Sequence, residues 1–534
     1  MTILDDVGTN VARPTEPSAG SAVMSRSLWA FCAVAILVGI AAAVRFYLMR
    51  GSLWEDEVIA ITHANQSLPL FFIEVLRNDI HPPIYFLQLA GWQALGVSTD
   101  GWILGNSLAW AGISLVAVFS ITRSLHGVRA AWVATALFAV LPNFIWSAGT
   151  LRMYAALPAC VLFVYYANRR WFDARSPRWL ALSIVVEVLV AYTHAVEFFF
   201  IAFIVFGAFV EAGAAGRLRL PSVRFTRSVR MWLIAQIVFG ICVLPLAASA
   251  LVRGSDASAP DSTLAMLTVG GGLVAGWKTS GLPWARNLGF VIFALLIGAA
   301  LSGRSSRWRT LAIPVAALAV SMAIAIAIKP IFKQPIFAAN LLPYIVIGAA
   351  AAAAHSRYAL GVVLTSIVVL AAVAFPLASL QAQSEGYAAA GRSVRDRADT
   401  GDVVVIPNVS VFWGVLRYAV GAQWGRPLAV MPVPNEQWAR LNERIARAFG
   451  QDAPKRLGLV PDGNFVDSQG VRYVLGEEAI DPTADARHVW LVTRDRYQTN
   501  IKMDPRFHPS EVVTGETFGD GELLVRRFDR AEAP

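Results

Sequence analysis

The sequence predicts a mainly α-helical, polytopic membrane protein of about eleven transmembrane helices, followed by a small C-terminal α/β domain. The 534 residues are 56% hydrophobic and only 15% charged, with a mean hydropathy of +0.55. A soluble globular protein carries about 25% charged residues, so one large core does not account for this composition. Apolar stretches of the ~20 residues that cross a bilayer recur up to about residue 379, and short strand-like runs follow them.

The apolar stretches define the order of the predicted helices. We predict spans at residues 28–49, 102–122, 130–148, 153–168, 179–196, 198–214, 231–252, 287–303, 310–328, 338–354 and 359–379. Arginines concentrate in alternate short loops, which marks those loops as cytoplasmic. They are Arg123 and Arg129; Arg169, Arg170, Arg175 and Arg178; Arg217, Arg219, Arg224, Arg227 and Arg230; Arg304, Arg307 and Arg309; and Arg357. The loop of residues 50–101 and the C-terminal part then face the periplasmic side of a bacterial inner membrane.

The remaining composition excludes several other classes of protein. Residues 1–27 are polar and rich in Pro, Ser, Thr and Gly, which predicts a disordered cytoplasmic tail and not a cleaved signal peptide. Cys32, Cys160 and Cys242 lie inside apolar runs, so no disulfide framework is indicated. The net charge of +9 is explained by the loop arginines, and no nucleic-acid partner is predicted.

The C-terminal part, residues 380–534, alternates strand-like and polar helical segments, which predicts a small α/β domain. The strand-like runs are "DVVVIP" (402–407), "LAVMPV" (428–433), "HVWLVT" (488–493) and "ELLVRRF" (522–528). It contains no phosphate-binding loop, no dinucleotide fingerprint and no metal-spaced Cys or His cluster. A docking or capping domain is the simpler interpretation.

Three consecutive acids, Glu55, Asp56 and Glu57, follow the first span in "GSLWEDEVIA". They have two interpretations. Acids at the start of a short interfacial helix over 57–66 would favour the positive end of its dipole. Alternatively, the cluster supplies a general base and an electrostatic partner at the membrane surface. A carboxylate next to hydrocarbon is costly, which favours the catalytic interpretation.

Other polar residues on the same predicted face support that interpretation. They are Arg45 and Arg50 at the end of the first span, Asp79 and His81 before the helix start at Pro82 and Pro83, Arg152 and Tyr154 after the third span, His194 and Glu197 after the fifth, and Lys329 and Lys333 after the ninth. Charged groups at several outer span ends indicate a polar cavity at the lipid boundary. Two alternatives stay open: His194 as a buried core histidine, and Arg152 as an arginine that extends to the interface.

Transfer of a sugar from a polyprenyl-phosphate carrier needs this combination of groups. The carrier tail stays in lipid, and the departing phosphate needs Arg, Lys or a metal ion to stabilise its charge. The attacking hydroxyl needs a base to take its proton. An enzyme that uses a nucleotide sugar would carry a nucleotide-binding domain, and neither soluble segment contains an Asp-x-Asp motif.

At this point the motifs identify a family resemblance. "LWEDE", "HPPIYF", "LRMYAAL" and "YTHAVEFF" resemble, in order, spacing and predicted side, the GT-C class of polyprenyl-phosphate-sugar-dependent glycosyltransferases. Relatives include the protein O-mannosyltransferases, the lipid A aminoarabinose transferases and the rhizobial lipopolysaccharide galacturonosyltransferases. The resemblance covers roughly residues 28–380. It implies a GT-C fold over the transmembrane domain, residues 28–379, and an inverting hexosyl- or pentosyltransferase activity.

The resemblance also implies roles for single residues. The family's Asp-Glu pair corresponds to Asp56 and Glu57, with the Asp as the catalytic base. Further positions correspond to Arg45, Asp79, His81, Pro82, Pro83, Arg152 and Tyr154. One stretch departs from the family: relatives often open the span after the ninth with an Arg-Tyr pair that binds the lipid phosphate, and here Ala339 and Asn340 stand in "KQPIFAANLLPY". Lys329 or Lys333 is then a candidate for the phosphate contact.

A divalent metal ion is a candidate cofactor, because some members of the class use one, with Asp79 and His81 as candidate ligands. The predicted partners are a polyprenyl-phosphate-linked sugar donor, membrane lipid, and a lipid, glycan or protein acceptor of the cell envelope.

Two other functions compete with the transferase. A transporter or flippase of a lipid-linked sugar or other amphiphile would often show paired halves with broken spans, and the sequence shows neither. A sensor with a ligand-binding C-terminal domain is supported only by that domain's α/β pattern.

Overall fold

A computed structural model describes most of the helical part and the framework of the C-terminal part. The described residues are 25–65, 81–96, 99–194, 197–214, 227–252, 282–302, 334–381, 386–406, 409–420, 464–466, 471–475, 486–494, 507–509, 516–518 and 523–530, with the single positions 68 and 274. Of the predicted site residues, Asp79, Lys329 and Lys333 lie outside them.

The chain begins with a series of helices. They are α1 (Arg26–Met49), α2 (Glu55–Ala64), α3 (Ile84–Ala94), α4 (Asp100–His126), α5 (Val128–Ala139), α6 (Pro142–Ala148), a 3₁₀ turn (Met153–Ala155), α7 (Leu157–Ala174), α8 (Pro177–Ala191), α9 (Glu197–Ala214), α10 (Arg227–Val252), α11 (Pro283–Leu301), α12 (Gln334–Ala353) and α13 (Arg357–Gln381). Local signals set several starts. Ser25 and Thr99 cap α1 and α4 with their hydroxyls, and proline opens α6, α8 and α11.

Within the described residues, five helices are long and apolar enough to cross a membrane: Arg26–Met49, Asp100–His126, Arg227–Leu246, Pro283–Leu301 and Arg357–Leu380. The pair α5 and α6, bent by 69°, makes a sixth if it is counted as one span. The predicted spans at 153–168, 179–196, 198–214 and 338–354 fall on α7, α8, α9 and α12, and 310–328 lies outside the described residues. The structure is therefore mainly helical with several apolar spans, and the total of eleven stays a prediction.

Close backbone contacts bring α1 against the elements that carry the site. A Cβ added at Gly39 would lie 2.2 Å from the carbonyl oxygen of Ala139, so only glycine lets α1 and α5 approach this closely. A Cβ at Gly149 would lie 2.0 Å from Cδ1 of Phe46, near the end of α1. The second contact places the turn after α6 against the end of α1.

The C-terminal part packs two helices, α14 (Tyr387–Arg397) and α15 (Val409–Val420), near a mixed sheet. Its strands are β1 (Val403–Ile406), β2 (Asn464–Val466), β3 (Arg472–Leu475), β4 (His488–Arg494), β5 (Phe507–Pro509), β6 (Glu516–Phe518) and β7 (Leu523–Arg530). The order is β2-β3-β1-β4-β7-β5, with β6 also pairing with β7. Strands β3, β1 and β4 are parallel, and β7 is antiparallel to its partners. Three of the predicted runs coincide with β1, β4 and β7, and 428–433 lies outside the described residues.

Candidate active site

Glu57 is a buried anchor in the first turn of α2. Its side chain is fully buried, and the Arg50 guanidinium binds both carboxylate oxygens. The backbone N–H of Leu151 donates to Oε1 over 2.6 Å, and that of Trp54 donates to Oε2 over 2.9 Å. A carboxylate has about four lone-pair sites, so these donors occupy nearly all of its acceptor capacity. Glu57 therefore joins the end of α1, the start of α2 and the turn after α6.

Asp56, the adjacent residue, has the opposite environment. Its side chain is 43% exposed, and its Oδ2 lies 3.5 Å from Nη2 of Arg152. Nη1 of Arg152 donates to the backbone carbonyl of Asp56 over 3.2 Å. The carboxylate is thus held beside a cation while most of its acceptor sites remain open to an incoming group.

Arg152 connects Asp56 with the histidines. Its side chain is only 4% exposed, and its extended backbone precedes the 3₁₀ turn. Nη2 of Arg152 lies 3.1 Å from Nε2 of His81. A guanidinium only donates, so Nε2 accepts and the His81 proton sits on Nδ1. The ring of His194 lies edge-on to that of His81, with centroids 5.3 Å apart.

Tyr154 lies one residue into the 3₁₀ turn and stacks on Trp146, with ring centroids 5.6 Å apart. The Tyr154 phenol also interacts with the Arg152 guanidinium. Because a guanidinium only donates, the phenol keeps its own proton to donate.

The start of α3 is fixed against the end of α8. The backbone N–H of Ile84 donates to the carbonyl of Tyr192 over 3.0 Å. This bond places the "HPP" turn beside "YTH", and it explains why His81 and His194 meet although about 110 residues separate them.

The stretch that departs from the family pattern has its own partner. Nδ2 of Asn340 donates to Oε1 of Glu197 over 2.8 Å, and both residues are fully buried. Asn340 thus pairs with an acidic side chain in the stretch where the resemblance leads us to expect an Arg-Tyr pair. Lys329 and Lys333 lie outside the described residues, so their contact with the carrier phosphate stays a prediction.

Six of the predicted site residues are brought together through these contacts: Asp56, Glu57, His81, Arg152, Tyr154 and His194. Arg45 points elsewhere. It is exposed, and its Nε lies 3.3 Å from the hydroxyl of Ser379 near the end of α13.

The described donors do not form a metal site. Among the residues that the structure describes, no group of three or more His, Cys, Asp or Glu side chains is arranged to hold an ion. The guanidinium of Arg152 already lies between Asp56 and His81, and a dication there would face a fixed positive charge. A metal bound through Asp79 stays a prediction, because that residue lies outside the described ranges.

Sequence reasoning did not identify three residues near the loop between α1 and α2, namely Asp100, Arg417 and Tyr418. The Tyr418 hydroxyl on α15 accepts from the Leu53 N–H over 2.9 Å and donates to Oδ2 of Asp100 over 2.6 Å. Arg417 donates to Oδ1 of Asp100 from Nη2 over 2.5 Å and from Nε over 3.1 Å. No local pattern marks these residues, since 365 positions separate Leu53 from Tyr418.

The chain was compared with known proteins. No protein-family model matches it, and no curated protein matches its sequence. Among solved structures it is similar to ArnT from Cupriavidus metallidurans bound to undecaprenyl phosphate, at 13% identity and a TM-score of 0.50, over 94% of this chain and 98% of that chain. The apo state of the same ArnT gives 12% identity and a TM-score of 0.51, over 93% and 97%.

A third similar structure is the oligosaccharyltransferase of Archaeoglobus fulgidus, at 13% identity over 86% of this chain and 67% of that chain. Its TM-score of 0.41 is too low to support an argument. At these identities the likeness concerns the fold and not the substrates. The chain has a GT-C-type glycosyltransferase fold, and the resemblance seen in its motifs is confirmed at that level.

Proposed function

We propose that this protein is a membrane glycosyltransferase that moves a sugar from a polyprenyl-phosphate carrier to a hydroxyl group of an envelope glycolipid, polysaccharide or protein. One observation carries the proposal: on a GT-C fold, a half-exposed Asp56 lies 3.5 Å from a buried Arg152. An exposed carboxylate next to a fixed cation is what proton removal and phosphate departure require in one place.

Asp56 is the proposed base. The acceptor hydroxyl donates its proton to the open carboxylate while its oxygen attacks the anomeric carbon. Glu57 is the proposed electrostatic and structural partner, since its four donors hold the first turn of α2 in place. Direct displacement of the carrier phosphate by the acceptor oxygen, with Asp56 as the base, would invert the configuration of the sugar.

Arg152 is the proposed contact of the departing phosphate. In the structure its Nη2 lies 3.5 Å from the Asp56 carboxylate. A phosphodiester that competes for the guanidinium would release the Asp56 carboxylate to accept the proton of the acceptor hydroxyl when the donor is bound. His81 orients Arg152 through the bond to Nε2, and Tyr154 and His194 line the same region. Arg45, Lys329 and Lys333 are proposed further contacts of the carrier.

Two further observations support the proposed carrier and the proposed side of the membrane on which the reaction takes place. The ArnT structure that matches 94% of this chain contains undecaprenyl phosphate, which makes an undecaprenyl-phosphate-linked sugar the first donor to test. The arginines in alternate loops favour a reaction at the periplasmic face of the inner membrane, with the N-terminus in the cytoplasm. The C-terminal domain is then periplasmic as well.

The proposal is tested by substituting Asp56→Asn in a deletion strain and comparing envelope glycolipids and glycoproteins by mass spectrometry. Wild-type protein should restore one missing mass, and Asp56→Asn should not, although it inserts and folds normally. Asp173→Asn, which alters a carboxylate near Arg169 at the other end of the bundle, should restore it.

Restoration of the mass by Asp56→Asn would refute the assigned base. Movement of a lipid-linked sugar across vesicles, without any covalent product, would instead favour the transporter alternative.

A further inference from the structure

Helix α15 of the C-terminal domain contacts the loop that leads to the proposed base. The hydroxyl of Tyr418 accepts the Leu53 N–H and donates to Asp100 Oδ2. A phenol has one proton to donate, so both bonds together fix the orientation of this hydroxyl. Tyr418 therefore links three segments that are far apart in sequence.

The position of Tyr418 is itself secured by charge. Arg417 binds Oδ1 of Asp100 through two nitrogens, and its side chain is only 6% exposed. Asp100 lies in the first turn of α4, where a negative charge is also favoured by the helix dipole. A charge-assisted contact of this kind holds α15 on the end of α4 more firmly than neutral hydrogen bonds would.

Leu53 lies three residues before Asp56 and is fully buried. Helix α2 begins at Glu55, so the Leu53 N–H has no partner within the helix and depends on Tyr418. The other side of the same loop is held by Arg50 and Glu57. The segment before Asp56 is thus fixed at both ends, once by the membrane domain and once by the C-terminal domain.

We propose that Tyr418 is a positioning residue for Asp56, through which the C-terminal domain sets the geometry of the active-site loop. This inference rests on the proposed function of Asp56. It predicts that loss of the hydroxyl lowers turnover, because a base displaced by a fraction of an ångström reacts poorly, while donor binding through other groups persists.

The test combines kinetics with hydrogen exchange on the full-length protein in nanodiscs. Tyr418→Phe should lower kcat by about tenfold with the donor KM within about twofold. It should speed amide exchange in the peptide that contains residues 51–57, and undecaprenyl phosphate should bind as it does to the wild-type protein.

Trp490→Phe is the matched control. It removes a buried hydrogen bond to Asp402 inside the same domain, from a site that does not touch the loop. It should leave both kcat and exchange at residues 51–57 unchanged. If Tyr418→Phe does not fold, Asp100→Asn is tested in its place. This variant keeps an acceptor for the phenol and weakens the contact with Arg417. It should lower kcat and speed amide exchange at residues 51–57, both by less than Tyr418→Phe would.

Because hydrogen exchange does not require sugar transfer, the two measurements distinguish a failure of this inference from a failure of the proposed function. Faster exchange at residues 51–57 supports the contact even if wild-type protein transfers no sugar from any undecaprenyl-phosphate donor, an outcome that refutes only the function. Unchanged exchange in Tyr418→Phe, or unchanged kcat in an active enzyme, overturns the inference.

Discussion

At the scale of single residues, neighbouring acids have opposite environments in this protein. Asp56 is 43% exposed with open acceptor sites, whereas Glu57 is fully buried under four donors. The sequence predicts that the acids, His81 and Arg152 belong together. The sequence does not show that Glu57 is buried while Asp56 is exposed, because the N–H groups and guanidinium around Glu57 come from residues 50, 54 and 151. The distinction depends on a contact across 94 positions.

This difference predicts separate consequences for the two substitutions. Glu57→Gln removes the negative charge that faces the buried Arg50 and places an amide N–H among donors, so we expect a loss of about 3–5 kcal/mol in the free energy of unfolding. Asp56→Asn should change that free energy by about 0.5 kcal/mol or less, yet abolish transfer. Chemical denaturation in detergent and the envelope mass measure the two effects.

A double substitution, Arg50→Met with Glu57→Leu, is the control for this prediction, and it should recover part of the lost stability. If Glu57→Gln is as stable as wild type and still inactive, Glu57 has a direct catalytic role.

At the scale of elements, a bend decides where the site forms. Residues 130–148 are predicted as one span, but the chain turns by 69° between α5 and α6. Pro142 at the start of α6 is the local signal for this bend. The angle itself is not readable from the sequence, because no local pattern encodes it. The turn at residues 149–152 then supplies the Leu151 N–H and Arg152 to the loop after α1.

The contact between α1 and α5 gives a prediction at this scale. Gly39→Ala places a Cβ 2.2 Å from the carbonyl of Ala139, so the helices must separate and the protein should lose stability. Gly112→Ala on α4 meets nothing within 4 Å and should raise stability by up to about 1 kcal/mol, because alanine favours helix. Melting temperatures of the two variants in one detergent check the contrast. Equal melting temperatures would show that α1 and α5 do not approach as described.

At the scale of the whole molecule, composition predicts the membrane class and the change of architecture after residue 379. The strand-like runs indicate where β1, β4 and β7 lie. Their order in the sheet, and the docking of α15 on α4, depend on pairings between distant segments that carry no periodic signal. The order of short motifs predicted the GT-C fold. It did not predict that Asn340, in the stretch that differs from the family pattern, pairs with Glu197.

The contact between α15 and α4 also fixes which parts of the chain share a side of the membrane. Helix α4 has 27 residues, about 40 Å at 1.5 Å each, which is long enough to cross a bilayer, so we expect its two ends on opposite faces. Its first residue, Asp100, binds Arg417, and its other end carries the exposed Ser124. The C-terminal domain is therefore expected on the side of the acids, opposite Ser124.

Cysteine labelling in intact cells tests this topology after Cys32, Cys160 and Cys242 are replaced. An impermeant maleimide should modify Gly51→Cys and Thr400→Cys, which are exposed positions, from outside. Ser124→Cys should react only after the cells are permeabilised. Labelling of Gly51→Cys and Thr400→Cys from different sides would contradict the contact itself.

The ion pair between Arg50 and Glu57 has a consequence for biosynthesis. Its members are seven positions apart and can neutralise each other early, whereas the Leu151 N–H that completes the carboxylate's partners emerges 94 residues after Glu57. At ~5–20 residues per second the ribosome needs roughly 5 to 20 seconds to make that stretch. During this interval the Arg50–Glu57 ion pair lacks the Leu151 N–H as a partner. Ribosome-arrested chains that end before or after the 149–152 turn should therefore differ in protease resistance around residue 57.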